Sequence, residues 1–300
     1  MSKFDIASKG KLWFIISLIV IIPGFICMGV KGFNFGIDFT GGTIIDLKFD
    51  NPVSVAKVRD ALKPFGMDGA TIQLSNDGSN VEESRSVMIR TVDMEEERRK
   101  EVMAGLKSSV GEYQVMREEK VGAVIGSELI LNAVEALVVS WILIIAYVAY
   151  RFEWRFGVSA VLALVHDILI VLVVFSITQR QIDSSFVAAL LTIVGYSIND
   201  TIVIFDRIRE NLKLHFKRDG NIFELVNRSI YQTLRRSLYT VFTVLFTTFA
   251  LYFFGGETTK DFAFALLIGF ASGCYSSIFI ASPLWIYFKT RDDKKRRKLA

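Results

Sequence analysis

Six apolar runs, at 12–30, 129–150, 157–177, 185–205, 237–254 and 262–288, limit what this chain can fold into more than any other feature. At a helical rise of about 1.5 Å per residue, a run of about 20 residues crosses the hydrocarbon core of a bilayer, so the spacing predicts six transmembrane helices. The composition agrees: 52% of the 300 residues are hydrophobic and 22% charged, with 25 Phe and 4 Pro. That balance excludes an ordinary soluble enzyme and makes the lipid bilayer the first partner. The first run is too long for a cleaved signal peptide and lacks an AxA-like site.

Basic residues set the direction of the helices. Lys3, Lys9 and Lys11 precede the first run, Arg151 and Arg155 lie between the second and third, and Lys289 to Lys298 follow the last. By the positive-inside rule these segments, both termini included, are cytoplasmic. The segment 206–236 agrees, because Arg207, Arg209, Lys213, Lys217, Arg218, Arg228, Arg235 and Arg236 outnumber Asp206, Glu210, Asp219 and Glu224. It reads as a cytoplasmic loop. The links Thr178 to Ser184 and Gly255 to Asp261 lack that excess and face outward.

The polar stretch 31–125 is too long for a plain loop, and helix parity puts it outside. Its pattern reads strand (Thr43 to Phe49), helix (Val53 to Pro64), strand (Ala70 to Ser75), turn (Asn76-Asp77-Gly78), strand (Ser86 to Val92), helix (Glu95 to Ser109) and strand (Tyr113 to Glu118). That βαββαβ order is the ferredoxin-like plan. The fold class is therefore a six-helix polytopic membrane protein with a small α+β domain between helices 1 and 2. The domains are 1–30, cytoplasmic N-terminus and helix 1; 31–125, outer domain; 126–288, helices 2–6; and 289–300, a basic tail. The charged run Glu95 to Lys100 reads as a solvated helix face opposite Val102, Leu106 and Val110.

Cys27 and Cys274 fall inside apolar runs and His166 and His215 are isolated, so neither a disulfide framework nor a zinc site is supported and the thiols read as buried structural groups. Nucleotide-cradling and acyl-transfer motifs are absent, so the sequence predicts no enzyme, no ATPase, no metal and no cofactor. The basic tail is a topology determinant and an anionic-lipid contact, with no nucleic-acid partner expected.

The chemistry lies in polar groups inside the spans: Glu135, His166, Asp167, Asn199 and Asp200. Ionised side chains there are expensive unless they face protein or water. Glu135 falls in the outer third and Asp167 near the midplane. Asp200 is about 22 Å below the outer end of helix 4, one to two turns from the cytoplasmic end. Arg235 and Arg236 open helix 5 at the same level. An arginine there either snorkels to the headgroups or turns toward Asp200 and offsets its burial. A small helix movement would then load or release a proton. The alternative, equally open here, is that Asp200 and Asn199 only hydrogen-bond neighbouring helices.

Two glycine features complete the reading. Gly269 and Gly273, with Ser272, Ser276 and Ser277, form a small-residue face for close helix packing. "GIDFTGG", with Gly36, Asp38, Thr40, Gly41 and Gly42, is either an ordinary turn or a stiff link between helix 1 and the outer domain, since glycines permit φ > 0.

The stretches "GIDFTGG" at 36–42, "VGYSINDTIVIFDRIREN" at 194–211 and "QTLRRSL" at 232–238 together resemble the SecF branch of the bacterial SecD/SecF protein-export family, and the likeness covers essentially the whole chain. The resemblance implies a six-helix half of an RND-type protein in the bacterial inner membrane, with 31–125 periplasmic. It implies a SecD partner, the SecYEG channel, YajC and YidC beside it, and an exported polypeptide drawn outward in late translocation. The energy source it implies is the proton-motive force. It assigns proton coupling to Asp200 and to Arg236 in preference to Arg235, with Asp167 and Asn199 beside them. It also makes the 36–42 link a coupling element. The chain holds one six-helix unit, so a separate SecD is expected. The competing readings are a non-conducting scaffold for the translocon and an RND-type small-molecule or lipid exporter half.

Overall fold

The computed structural model describes residues 5–67, 70–75, 83–91, 93–121, 123–215, 220–255 and 257–299. The chain divides into two compact units, one made of Met1–Asn34 and Val134–Ala300 and the other of Phe35–Ala133. In chain order the elements are α1 (Gly10–Lys31), β1 (Asn34–Phe35), α2 (Ile37–Thr40), β2 (Gly42–Ser54), α3 (Val55–Leu62), β3 (Thr71–Ser75), β4 (Glu83–Thr91), α4 (Glu96–Ser109), β5 (Tyr113–Val121), α5 (Ala123–Arg151), α6 (Trp154–Thr178), β6 (Gln181–Ile182), α7 (Ser184–His215), α8 (Ile222–Phe254), α9 (Glu257–Ser276) and α10 (Ser282–Leu299). A π-helical segment, Ser277–Ala281, joins the last two.

Six helical segments among the described residues are long and apolar enough to cross a membrane: Gly10–Lys31, Glu128–Arg151, Trp154–Thr178, Ser184–Leu214, Ile222–Phe254 and Thr259–Arg291. The six expected spans fall inside them, but two helices run well beyond their apolar runs. The stretch expected as a loop, 206–236, is largely helical, because α7 continues to His215 and α8 begins at Ile222. Charge marks where a helix leaves lipid, not where it stops. Asn221 starts α8 by accepting the Phe223 backbone N–H at 3.0 Å, so a cap fixes the boundary.

In the bundle α6 packs against α1, α7 and α9, and α9 packs in turn against α7 and α8. Its core near one end stacks Phe156 on Trp285 at 4.7 Å and sets Phe205 4.8 Å from Phe156. The N-terminal segment is tied to the start of α8: Asn227 Oδ1 accepts both Ile6 and Ala7 backbone N–H groups at 2.9 Å. Hydrogen bonds from Ser8 and Asn227 hold the Asp5 carboxyl below the usual carboxylate range.

The second unit is a four-stranded antiparallel sheet in the order β3-β4-β2-β5. This is the split βαβ arrangement of the ferredoxin-like plan. Alternation along β2 drives Ile45, Leu47 and Phe49 into the core, where they meet Val58 and Leu62 of α3 and Val102 and Leu106 of α4. β2 runs on to Ser54, past the expected end at Phe49, and shifts register between Lys48 and Val53, the interval that contains Pro52. Helix α3 starts only at Val55 because Ser54 Oγ accepts the Lys57 backbone N–H at 3.3 Å. The expected turn at Asn76-Asp77-Gly78 lies outside the described residues.

"GIDFTGG" folds as a single helical turn, α2, closed by the Gly36 carbonyl, which accepts from Phe39 N at 3.0 Å and from Thr40 N and Oγ1 at 3.1 Å. Gly41 and Gly42 follow with φ of 71° and 134°, values that L side chains rarely adopt, and deliver the chain into β2. The local geometry is more specific than an ordinary turn.

Candidate functional site

The polar groups in the spans form two separate hydrogen-bonded groups. In the first, α6 turns His166 and Asp167 inward, with 8% and 0% of their surfaces exposed. Ser272 and Ser276 sit one turn apart on α9, so both hydroxyls share a face. Asp167 Oδ1 takes the Ser272 hydroxyl at 2.7 Å and lies 3.2 Å from His166 Nδ1. Its Oδ2 takes the hydroxyls of Ser197, from α7, and of Ser276, each at 2.7 Å. Four contacts are about what a carboxyl group can hold, so both oxygens of this buried side chain are fully engaged. From His166 the chain of contacts continues: Nε2 lies 2.9 Å from Ser17 Oγ on α1, Ser17 lies 3.4 Å from Tyr275 Oη, and Tyr275 donates to the Trp13 carbonyl at 2.9 Å.

The second group is sparse. Ser237 of α8 donates to Asp200 Oδ1 at 2.5 Å. Asp200 Oδ2 is buried and has no hydrogen-bond partner among the described residues. The expected pairing with Arg236 is not formed: among the described residues no ion pair joins Asp200 to either arginine, and Arg235 and Arg236 are exposed. The reason is azimuth. Successive helical residues are about 100° apart, so aiming Ser237 at α7 turns Arg236 aside. Arg236 lines an open cavity of about 350 Å³ together with Tyr147, Arg151, Asp206, Arg207 and Glu210. Asn199 and Glu135 are exposed, and neither joins either group.

Gly269 and Gly273 pack within the chain. A Cβ at Gly269 would lie 2.2 Å from Ile193 Cδ1, and one at Gly273 would lie 3.0 Å from Ser197 Cβ, which sets α9 close against α7 and brings Ser197 to Asp167. Ser272 and Ser276, expected only as small packing residues, bond Asp167, and Ser17, Ser197, Ser237 and Tyr275 join these groups without having stood out in the sequence. The spacing of Ser272 and Ser276 was a visible signal. The others carry none, because a serine in an apolar run says nothing of which helix it will face. Among the described residues, no cluster of His, Cys, Asp and Glu is arranged to hold a metal ion.

These features define a polytopic helical membrane protein with ionisable groups inside its bundle and an α+β unit inserted after the first helix. The family described as "Protein export membrane protein SecD/SecF, C-terminal" matches residues 101–291, and "SecD/SecF GG Motif" matches residues 28–53. The chain is 48% identical to the protein translocase subunit SecF of Acidaminococcus fermentans, over 97% of this chain and 99% of that one. It is 44% identical to the SecF of Vibrio alginolyticus over 91% and 86%. Among solved structures it is similar to SecDF from Thermus thermophilus, described as a translocon-associated membrane protein, with a TM-score of 0.85 and 40% identity over 96% of this chain. It also matches SecDF in a super-membrane-facing form, with a TM-score of 0.73 and 39% identity. The chain spans only 39% and 40% of those two structures' chains.

The chain belongs to the SecD/SecF family, among its SecF subunits. It is a multi-pass membrane protein of the Sec export machinery, an accessory subunit of the translocase rather than a catalytic enzyme.

Proposed function

We propose that this subunit couples the proton gradient across the bacterial cytoplasmic membrane to late translocation and release of exported polypeptide. The observation that carries the reading is Asp200: a carboxylate in a span, with one oxygen held by Ser237 and the other buried without a partner. A proton on Oδ2 would remove a charge met only by the Ser237 hydrogen bond and by Arg236 beyond ion-pair distance, and losing it would draw that cation closer. Arg236, one residue from Ser237 and exposed, is the cation in reach of a modest rotation of α8. In this reading the pair is apart in one state of the cycle and together in another.

A SecD counterpart supplies what the solved SecDF chains contain beyond the matched part, and the two act beside SecYEG, with YajC and YidC as further neighbours. The termini, Arg151 and Arg155 face the cytoplasm, and residues 31–125 face the periplasm. The α2 turn and its two glycines are the coupling element between helix 1 and the outer domain. Asp167 is a second proton-coupling group, and Asn199 a neighbour of the first.

The test is Asp200→Asn, at matched membrane levels and with the SecD counterpart present, in an assay of gradient-dependent preprotein release. Release should fall to the level seen without a gradient; release equal to the parent's would sink the assignment of coupling to Asp200. Bulky replacements at Gly269 or Gly273 do not discriminate coupling from a scaffold, because those glycines hold α9 to α7 inside the bundle.

A further inference from the structure

The hydrogen-bond inventory around Asp167 contains one asymmetry. With Asp167 ionised, every neighbour donates: Ser272 and His166 to Oδ1, Ser197 and Ser276 to Oδ2. A proton on either oxygen makes that oxygen a donor, so one neighbour must turn and accept. A serine can do so only if its own hydrogen finds another acceptor, because an orphaned buried donor is costly. Among these three serines only Ser276 has a second acceptor among the described residues, the Gly273 carbonyl at 3.2 Å. The same holds one step away. If His166 Nε2 carries a hydrogen it donates to Ser17 Oγ, and the Ser17 hydroxyl then turns to Tyr275 Oη at 3.4 Å, while Tyr275 keeps its bond to the Trp13 carbonyl.

We propose that Ser276 and Ser17 are hydroxyl switches that let the Asp167–His166 pair take up one proton inside the bundle with every buried hydrogen bond kept. They are positioning residues for the pair, and the inference rests on the proton-coupling reading above. The balance is simple. A proton adds to Asp167 Oδ2, the Ser276 hydroxyl rotates from Oδ2 to the Gly273 carbonyl, and Ser276 Oγ accepts the new O–H. Alternatively the proton sits on His166 Nε2, and Ser17 rotates from Nε2 to Tyr275. Nothing is oxidised and no bond other than O–H or N–H changes. The titratable groups facing this pair are Tyr275 on α9, whose ring stacks 5.8 Å from His166, and Cys274 beside it in sequence; α7 brings Ser197, with Asp200 three residues on, and α1 brings the Ser17 hydroxyl. Among the described residues no Lys or Arg is bonded to the pair, so neutral hydroxyls alone contact its carboxyl and imidazole. The pair bridges α1, α6, α7 and α9, and α1 is the helix that leads into the α2 turn.

Infrared difference spectroscopy tests this on the full chain with its SecD counterpart in lipid vesicles, stepped from mildly alkaline to mildly acid buffer. A carboxylic C=O band should appear on acidification, vanish in Asp167→Asn and survive in Asp200→Asn. Ser276→Val should shift that band and move the midpoint of the pH–rate profile for gradient-driven export by about 1 unit, the scale of one hydrogen bond to a buried charged group. Ser276→Thr, which restores the hydroxyl at nearly the same volume, should return both to the parent's values. The proposal is overturned if no band depends on Asp167, if Ser276→Val leaves band and profile unchanged, or if Ser276→Thr behaves as Val does. Should Asp200→Asn keep gradient-driven release while the Asp167 band persists, the Asp200 reading fails and this one stands.

Discussion

Gly269→Ala adds one methyl group at the closest approach of α9 to α7. The new Cβ would stand 2.2 Å from Ile193 Cδ1, 2.3 Å from its Cγ1 and 2.9 Å from its Cγ2. Carbon atoms rest at about 3.5 Å or more, so roughly 1.3 Å of overlap must be relieved. Ile193 is β-branched and fully buried, with 0% of its surface exposed, so it has no room to swing away. Either α9 moves off α7, loosening the Ser197 contact to Asp167, or Ile193 leaves its rotamer. Overpacking of this kind costs about 1–3 kcal/mol, and the upper end applies because all three outer carbons of Ile193 are hit. In a bundle of this size that is a fall in Tm of about 5–10 °C. Gly29→Ala is the internal control: nothing stands within 4 Å of its Cβ, and alanine is the better helix former, so the Tm should hold or rise slightly. Ile193→Ala should cost about 2–5 kcal/mol alone. Combined with Gly269→Ala it should cost clearly less than the sum, because the cavity takes the methyl group. Scanning fluorimetry of the purified chain in one detergent reads all four. Equal melting of Gly269→Ala and Gly29→Ala, or strict additivity of the double variant, would refute the packing argument.

Two further outcomes follow from charges outside the bundle's core. Asp46 on β2 has a carboxyl raised above the usual range by burial, against the pull of Arg117 and Arg90, and its Oδ1 is buried without a hydrogen-bond partner among the described residues. A folded-state pKa above the unfolded value makes ionisation oppose folding, so the penalty grows as pH rises through the unfolded carboxylate range and is complete at neutrality. Asp46→Asn in the full chain should therefore slow amide exchange in β2 and β4 several-fold at neutral pH, with the advantage vanishing in acid; an advantage independent of pH would contradict the assignment. Arg180 donates to Asp261 at 2.6 Å and to Tyr252 Oη at 2.7 Å and lies 4.1 Å from the centre of the Phe264 ring, three contacts that need a planar fork. Arg180→Lys should lose about 1 kcal/mol or more in thermal unfolding, and Asp261→Asn should then cost less in the Lys background than in the parent.

The spans were readable because a membrane helix is written as an unbroken apolar run, and the βαββαβ unit because alternation and turn residues are local. What ran past the runs was not: α7 and α8 extend into charged sequence, where a helix in water and a polar loop share a composition. The same limit applies inside the bundle. Sequence depth put Asp200 and Arg236 at one level, and both are there, but depth carries no azimuth. Ser237 rather than Arg236 faces the carboxylate, a difference of about 100° that only helix packing decides. Likewise the serines around Asp167 come from α7 and α9, far apart in the chain, and the register that aligns them is set by Gly269 and Gly273 meeting Ile193 and Ser197.

That register also separates two carboxylates that sequence alone treats alike. Asp167 has three serine donors, His166 Nδ1 beside it and, under the proposal above, a hydroxyl that can reverse, so a proton exchanged there would ask little movement of the helices. Asp200 has one donor and one bare oxygen, so changing its charge alters what α7 needs from α8. A group whose surroundings accommodate either charge stores a proton; a group whose surroundings suit only one exerts force when the other is imposed. Under the proposed coupling, a rotation that brought Arg236 to α7 would be driven at Asp200. The geometry makes a kinetic demand: with Asp200→Asn, Asp167 should still titrate while distances between spin labels on α7 and α8 no longer change with pH. Label distances that still respond in that variant would put the driving group elsewhere.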